Sequence, residues 1–131
     1  MGKWKMREKI YRRKIVDKII EYLETKEIIV IYGARQVGKT FLLRYLIENY
    51  IKKNVFYFDL ELPNLLDLCN QGAGSVFKYL IQKGVDEKQR VFLLIDEIQY
   101  MEDPTKFLKI MHDHYSNIKL FVSGSSTFEI K

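Results

Sequence analysis

The sequence predicts an α/β fold, a three-layer sandwich built on a four-stranded, mainly parallel β-sheet. Runs of β-branched and apolar residues alternate with segments of helical periodicity, which is typical of strands joined by helical crossovers. One run, Val91–Ile95, is apolar at every position, as expected of a parallel strand that helices cover on both faces. We therefore expect a folded core over residues 9–131, preceded by a basic arm over residues 1–8.

The first half of the chain has the pattern helix, strand, glycine loop, helix. Residues 9–24 carry an apolar stripe at i, i+4 and i+8, which indicates an amphipathic helix. Glu27–Tyr32 is a β-branched run that stops at Gly33, and Lys39–Tyr50 repeats leucine and isoleucine at helical spacing. The stripe of the first helix consists of Ile15, Ile19 and Leu23.

The second half continues the alternation of strands and helices. Turns at Lys52–Asn54 and Ser116–Asn117 precede two of the strands, and Gly72 and Gly74 separate two short helices. The remaining predicted strands are Val55–Leu60, Val91–Ile95 and Ile118–Ser123. The remaining predicted helices lie at about Pro63–Asn70, Ser75–Lys83 and Pro104–Tyr115.

The composition is that of a soluble globular protein, which we expect to be cytoplasmic. Of the 131 residues, 47% are hydrophobic and 30% are charged, and the longest apolar runs are far shorter than the roughly 20 residues that span a bilayer. The polar, basic N-terminus lacks the pattern of a secretory signal. Cys69 is the only cysteine, so we interpret it as a small packing residue. The alternative, a catalytic nucleophile, has no histidine near it in the sequence.

The net charge of +5 is concentrated in the N-terminal arm and the start of the first helix. Residues 1–14 hold seven basic groups and one acidic group, and the rest of the chain is close to neutral. Such a segment could bind nucleic-acid phosphates or an acidic partner, or it could be a solvated tail. The basic residues are Lys3, Lys5, Arg7, Lys9, Arg12, Arg13 and Lys14.

Residues 33–40 read Gly-Ala-Arg-Gln-Val-Gly-Lys-Thr, which matches the Walker A pattern G-x-x-x-x-G-K-[ST]. Glycines at the bends let backbone N–H groups turn toward a phosphate, and the following helix offers its positive N-terminus. Lys39 would reach the β- and γ-phosphates, and the Thr40 hydroxyl would bind Mg²⁺. The pattern predicts a P-loop that binds MgATP, although a tight glycine turn is the simpler alternative. Its members are Gly33, Ala34, Arg35, Gln36, Val37, Gly38, Lys39 and Thr40.

Two carboxylates follow the apolar strand Val91–Ile95 in a Walker B pattern. A strand that ends in a carboxylate places that charge at the carboxyl end of a parallel sheet, where Mg²⁺ offsets the cost of burying it. We expect Asp96 to hold Mg²⁺ through water. Glu97 is the predicted general base for the water that attacks the γ-phosphate.

The strand Leu120–Ser123 ends in small polar residues, Ser-Gly-Ser-Ser over positions 123–126. A hydroxyl at this position could contact the γ-phosphate or the attacking water. Ser125 is the first choice for this catalytic role, and Ser123 and Ser126 are close alternatives. A plain strand-to-helix turn also explains the composition.

These three segments together resemble the archaeal and bacterial AAA+ type ATPases. The resemblance rests on residues 33–40, on Leu-Ile-Asp-Glu-Ile-Gln at 94–99 and on Ser-Gly-Ser-Ser at 123–126, and it covers about residues 10–128. It implies ATP hydrolysis that drives conformational change, with Ser125 as the sensor residue. Gln99 also matches the family pattern, but the sequence assigns it no chemical role.

The chain departs from the resemblance after the sensor strand. Family members continue into a fifth strand, an arginine finger and a helical lid, whereas this sequence stops at Lys131 and has no arginine after Arg90. A stabilising arginine contributes about 10³–10⁵-fold to turnover. We therefore expect a truncated core that binds nucleotide and hydrolyses it slowly, if at all.

The resemblance also predicts the order of the strands in the sheet. Without the fifth strand, the strand before the P-loop becomes an edge, which favours self-association through its unpaired backbone groups. The expected order is Val55–Leu60, Val91–Ile95, Ile118–Ser123, Ile28–Tyr32.

Two other functions compete with the ATPase interpretation. A P-loop kinase would transfer the γ-phosphate to a small acceptor, but the separate strand Val55–Leu60 and the glutamate after Asp96 favour activation of water. A nucleotide-responsive module that binds DNA or a protein with little catalysis is favoured by the basic arm and by the missing arginine.

Overall fold

The structure is a computed structural model that describes residues 14–32, 37–51 and 54–124. Helix α1 covers residues 14–21 of the described range. The strands are β1 (Ile29–Tyr32), β2 (Val55–Asp59), β3 (Val91–Asp96) and β4 (Ile118–Gly124). The other helices are α2 (Val37–Asn49), α3 (Pro63–Asn70), α4 (Ala73–Gln82) and α5 (Pro104–His114), with a 3₁₀ turn at Ile98–Tyr100. No helix in these three ranges has the length and apolar character needed to cross a membrane.

The four strands form one sheet in the order β1-β4-β3-β2, and all three pairings are parallel. The predicted order and the predicted α/β class are both confirmed. In the described part of the chain, β1 pairs with β4 alone, and it is therefore an edge strand. Self-association through this edge stays a prediction.

The sheet separates two apolar clusters. On one face, the buried strand residues Leu93 and Ile95 pack with side chains of α3, α4 and α5. On the other face, Leu94 and Phe121 pack with side chains of α1 and α2. Leu93, Leu94 and Ile95 have no exposed surface, which confirms that β3 is covered on both sides. Alternate residues of one strand thus fill two cores, as the unbroken apolar run predicts.

The short helices begin close to where their sequence signals place them. Pro104 starts α5, and the preceding Asp103 caps it by accepting a hydrogen bond from the Lys106 N–H at 3.1 Å. Gly72 separates α3 from α4 with φ 117°, a conformation that favours glycine. The predicted start of α4 at Ser75 is wrong by two residues, because one glycine suffices for the turn and Gly74 lies inside the helix.

Cys69 lies on α3 and is 1% exposed. Burial raises the pKa of its thiol to about 12, so the thiol stays protonated near neutral pH. A thiol without thiolate character is a poor nucleophile. The structure therefore supports a packing role for this cysteine.

A buried cationic clamp joins the amino end of the sheet to the turn that precedes β1. Lys119, in β4, is 2% exposed, and its Nζ donates to the Thr25 carbonyl at 2.9 Å and to the Glu27 carbonyl. The Arg90 guanidinium donates to the carbonyls of Leu23 at 2.7 Å and Thr25 at 2.9 Å. Burial, and then the nearby charge of Arg90, lower the pKa of Lys119 to about 8. The clamp fixes the path by which α1 enters β1.

The low pKa of Lys119 predicts a stability that depends on pH. Between pH 8 and about 10.5 the unfolded chain binds more protons at this lysine than the folded chain does, so its contribution to stability rises with pH and is lost as the pH falls through 8. We expect the free energy of unfolding of the wild type, relative to Lys119→Met, to rise by about 1 kcal/mol or more over this interval. Urea denaturation from pH 7.5 to 10 measures it. The exposed Lys78→Met serves as a control, and parallel curves for the wild type and Lys119→Met would contradict the assignment.

Candidate functional site

Those predicted site residues whose side chains the structure describes lie at the carboxyl edge of the sheet. Because all four strands are parallel, β1, β3 and β4 end on the same edge. Ile31 pairs with Ser123, so the end of β1 lies two strands away from the end of β3. Two strand spacings correspond to about 10 Å. The loop that leaves β1 therefore starts close to the last residue of β3, Asp96.

The glycine loop lies partly outside the described residues. Gly33, Ala34, Arg35 and Gln36 belong to that part. The backbone of Val37, Gly38, Lys39 and Thr40 forms the first turn of α2, which begins two residues earlier than predicted. The N-terminus of a helix carries partial positive charge and free N–H groups, which is the feature that binds anions. Four residues separate the end of β1 from the start of this helix.

Asp96 is the last residue of β3, and its side chain is held by two hydroxyl groups. The Tyr57 hydroxyl donates to Oδ2 at 2.6 Å, and the Ser123 hydroxyl donates to Oδ1. Asp96 is 7% exposed, so its charge requires such donors to offset the cost of burial. Each carboxylate oxygen accepts up to two hydrogen bonds, so acceptor capacity remains on both.

The strand register explains why these three side chains meet. Asp59 of β2 lies opposite Asp96, and Tyr57, two residues earlier, points to the same face of the sheet. Ser123 comes from the strand on the other side of β3. Burial, then the hydrogen bond to Asp96, raise the pKa of Tyr57 well above its usual range. The tyrosine hydroxyl therefore stays protonated and donates.

Glu97 follows Asp96 in a left-handed backbone conformation, with φ 61° and ψ 47°. Such a conformation is uncommon outside glycine and concentrates at functional sites. The side chain is 7% exposed, and Gln99 Nε2 donates to its Oε2. Gln99 belongs to the 3₁₀ turn that Ile98 anchors in the core. Gln99, to which the sequence gives no role, thus holds the carboxylate of the predicted general base.

The structure joins some of the predicted site residues and leaves others undescribed. It brings Ser123, a second choice in the sequence analysis, to Asp96. Ser125 and residues 1–13, which include the basic arm, lie outside the described residues. Lys14 is described, and it is exposed. Tyr57 is not among the residues that the sequence patterns indicated. Strand alternation places Tyr57 on the same face as Asp59 at the end of β2, but the register that brings Tyr57 to Asp96 has no signal in the sequence.

Solved structures with the same fold include proteins of Drosophila and C. elegans. A chain in the structure of Drosophila ORC bound to AT-rich DNA and Cdc6 superimposes with a TM-score of 0.61 and 17% identity, covering 88% of this chain and 46% of that one. C. elegans PCH-2 superimposes with a TM-score of 0.55 and 15% identity, covering 91% of this chain and 39% of that one. At these identities the likeness establishes the fold.

Curated relatives include two uncharacterised proteins of Methanocaldococcus jannaschii. They are 33% identical over 121 residues and 30% identical over 117 residues, covering 88% of this chain and 25% of each relative. An uncharacterised protein of Haemophilus influenzae is 28% identical over 123 residues, covering 89% of this chain and 30% of its own length. This chain thus spans about a quarter of the archaeal relatives that it matches.

The AAA domain family matches residues 25–131. The match includes all four strands of the sheet, the P-loop segment and the hydrogen-bonded group around Asp96. Sequence family and fold agree on a nucleotide-binding type of module. The chain therefore belongs to the AAA domain family.

Proposed function

We propose that this chain binds MgATP at the carboxyl edge of its sheet and that ATP hydrolysis in the complete protein drives conformational change. The observation that carries the proposal is the buried carboxylate of Asp96, held at the edge from which the glycine loop leaves β1. The P-loop pattern of residues 33–40 and membership of the AAA domain family support it.

The oxygen donors near this edge fit Mg²⁺. Asp96 keeps acceptor capacity after its two hydrogen bonds, and Thr40 lies in the first turn of α2. Mg²⁺ prefers such oxygen ligands, with water and phosphate oxygens completing its shell. When bound, the metal would neutralise charge on the β- and γ-phosphates.

The protein's own residues have separate roles in this proposal. Backbone N–H groups of residues 33–40 and the Lys39 ammonium bind the phosphates. Glu97, held by Gln99, takes a proton from the attacking water. Ser125 remains the proposed sensor residue, because the hydroxyl of Ser123 is engaged with Asp96.

Lys39→Ala should weaken MgATP binding. A charge-assisted contact in a desolvated site contributes on the order of 2–5 kcal/mol, which corresponds to roughly 30- to 3,000-fold in affinity. Isothermal titration calorimetry of the wild type, Lys39→Ala and the exposed control Lys88→Ala measures the effect. Equal affinities for the wild type and Lys39→Ala would refute the phosphate site.

Glu97→Gln should keep nucleotide binding and abolish turnover. The amide preserves the shape and can still meet Gln99, but it cannot take a proton from water. We expect an ATP affinity within about threefold of the wild type and at least a 100-fold loss of phosphate release. Glu102 is an exposed glutamate in the segment between β3 and α5, and the Glu102→Gln variant should hydrolyse ATP like the wild type. Hydrolysis by Glu97→Gln at the wild-type rate would exclude this residue as the base.

A nucleotide-responsive module that binds DNA is the second candidate. Seven of the first fourteen residues are basic, and a solved structure with this fold contains DNA. Each lysine or arginine that contacts a phosphate steepens the salt dependence of binding by about one unit of log K per log salt concentration.

The arm contains three basic residues, Lys3, Lys5 and Arg7. Replacing all three by alanine should therefore reduce the slope of log K against log salt concentration for DNA binding by up to about three. Fluorescence anisotropy with a duplex oligonucleotide at several salt concentrations measures it. A control that replaces the exposed Lys78, Lys83 and Lys88 by alanine keeps the net charge equal. Identical slopes for the two triple variants would contradict a DNA-binding arm.

A further inference from the structure

Tyr57 differs from its neighbours in the strand in a way that packing does not explain. Phe56 and Phe58 point to the opposite face and pack in the larger apolar cluster, whereas Tyr57 is 37% exposed. Among the described residues, Tyr57 belongs to neither apolar cluster. Its hydroxyl instead reaches across from the edge strand β2 and donates to Asp96 Oδ2 at 2.6 Å. The side chain therefore contributes a polar contact to the site more than it contributes apolar burial.

The hydroxyls of Tyr57 and Ser123 act on different oxygens of the same carboxylate. Tyr57 donates to Oδ2 from one neighbouring strand, and Ser123 donates to Oδ1 from the other. A carboxylate held at both oxygens does not rotate freely about its χ2 angle. Because each oxygen has a second lone pair, the acceptor directions that remain are fixed as well.

We propose that Tyr57 is a positioning residue for Mg²⁺ in the nucleotide complex, acting through Asp96. The inference rests on the proposed function, because it assigns a role toward the metal that accompanies ATP. Groups that hydrogen-bond a metal-binding carboxylate orient it, and their loss typically lowers metal affinity by about 10- to 100-fold. Removal of the Tyr57 hydroxyl leaves Asp96 with Ser123 as its remaining hydroxyl donor in the described structure.

The effect of Tyr57 should appear in the coupling between metal and nucleotide. We define the magnesium enhancement as the ratio of the ATP dissociation constant in EDTA to that in excess Mg²⁺. Tyr57→Phe should lower this enhancement by about 10-fold or more relative to the wild type, and the dissociation constant of ATP in EDTA should stay within about twofold. Binding of Mn²⁺ to the protein–ATP complex, followed by electron paramagnetic resonance, should weaken by the same factor.

Tyr22→Phe is the matched control, because Tyr22 is an exposed tyrosine in the turn after α1, at the other end of the sheet. It should keep the wild-type enhancement. Circular dichroism melting of each variant establishes that it is folded. An equal loss of ATP affinity in EDTA and in Mg²⁺ would indicate a purely structural role and would overturn the inference.

Two further outcomes separate this inference from the function on which it rests. If the wild type binds ATP with a clear magnesium enhancement and Tyr57→Phe has the same enhancement, the positioning role is wrong and the proposed function stands. If the wild type binds no ATP, or binds it equally well with and without Mg²⁺, the proposed metal site and the role of Tyr57 fail together.

Discussion

The carboxylate of Asp96 sets the main constraint on the carboxyl edge of the sheet. Asp96 is 7% exposed, and burial of a carboxylate costs several kcal/mol unless hydrogen-bond donors surround it. Its two hydroxyl donors come from opposite sides, Tyr57 on β2 and Ser123 on β4. That arrangement requires β3 to lie between β2 and β4. The hydrogen bonds to Asp96 therefore depend on the order of the strands in the sheet.

The opposite end of the sheet supports this edge indirectly. Lys119 and Arg90 hold carbonyl groups of the turn before β1, from Leu23 to Glu27. Because β1 has a strand on one side only in the described structure, this clamp is an additional restraint on its position. The position of β1 in turn decides where the glycine loop begins. A buried cationic clamp at one end of the sheet thus helps to define the other end, where we propose that the phosphates bind.

The periodicity of the sequence predicted the elements of the fold well. Unbroken apolar runs located the strands, and prolines located the starts of α3 and α5, whereas α2 and α4 begin two residues earlier than predicted. The order of the strands did not follow from periodicity. It came from the resemblance to AAA+ type ATPases, because local patterns carry no information on which strands pair.

The site was predicted less completely than the fold. Asp96 and Glu97 stand out because they follow an apolar strand. The contact between Tyr57 and Asp96 joins residues 39 positions apart, and it depends on a register that the sequence alone does not specify. The left-handed backbone of Glu97 has no sequence signal either, because the residue is not glycine. The contact between Tyr57 and Asp96 and the backbone conformation of Glu97 were therefore not predicted from the sequence.

The position of a divalent metal in the nucleotide complex tests most directly whether Asp96 holds Mg²⁺. Crystals grown with Mn²⁺ and a non-hydrolysable ATP analogue would locate the metal by its anomalous scattering. We expect a peak within about 5 Å of the Asp96 carboxylate, the distance of one bridging water, and beside Thr40. A complex in which the nucleotide is bound and the metal lies away from Asp96 would contradict it.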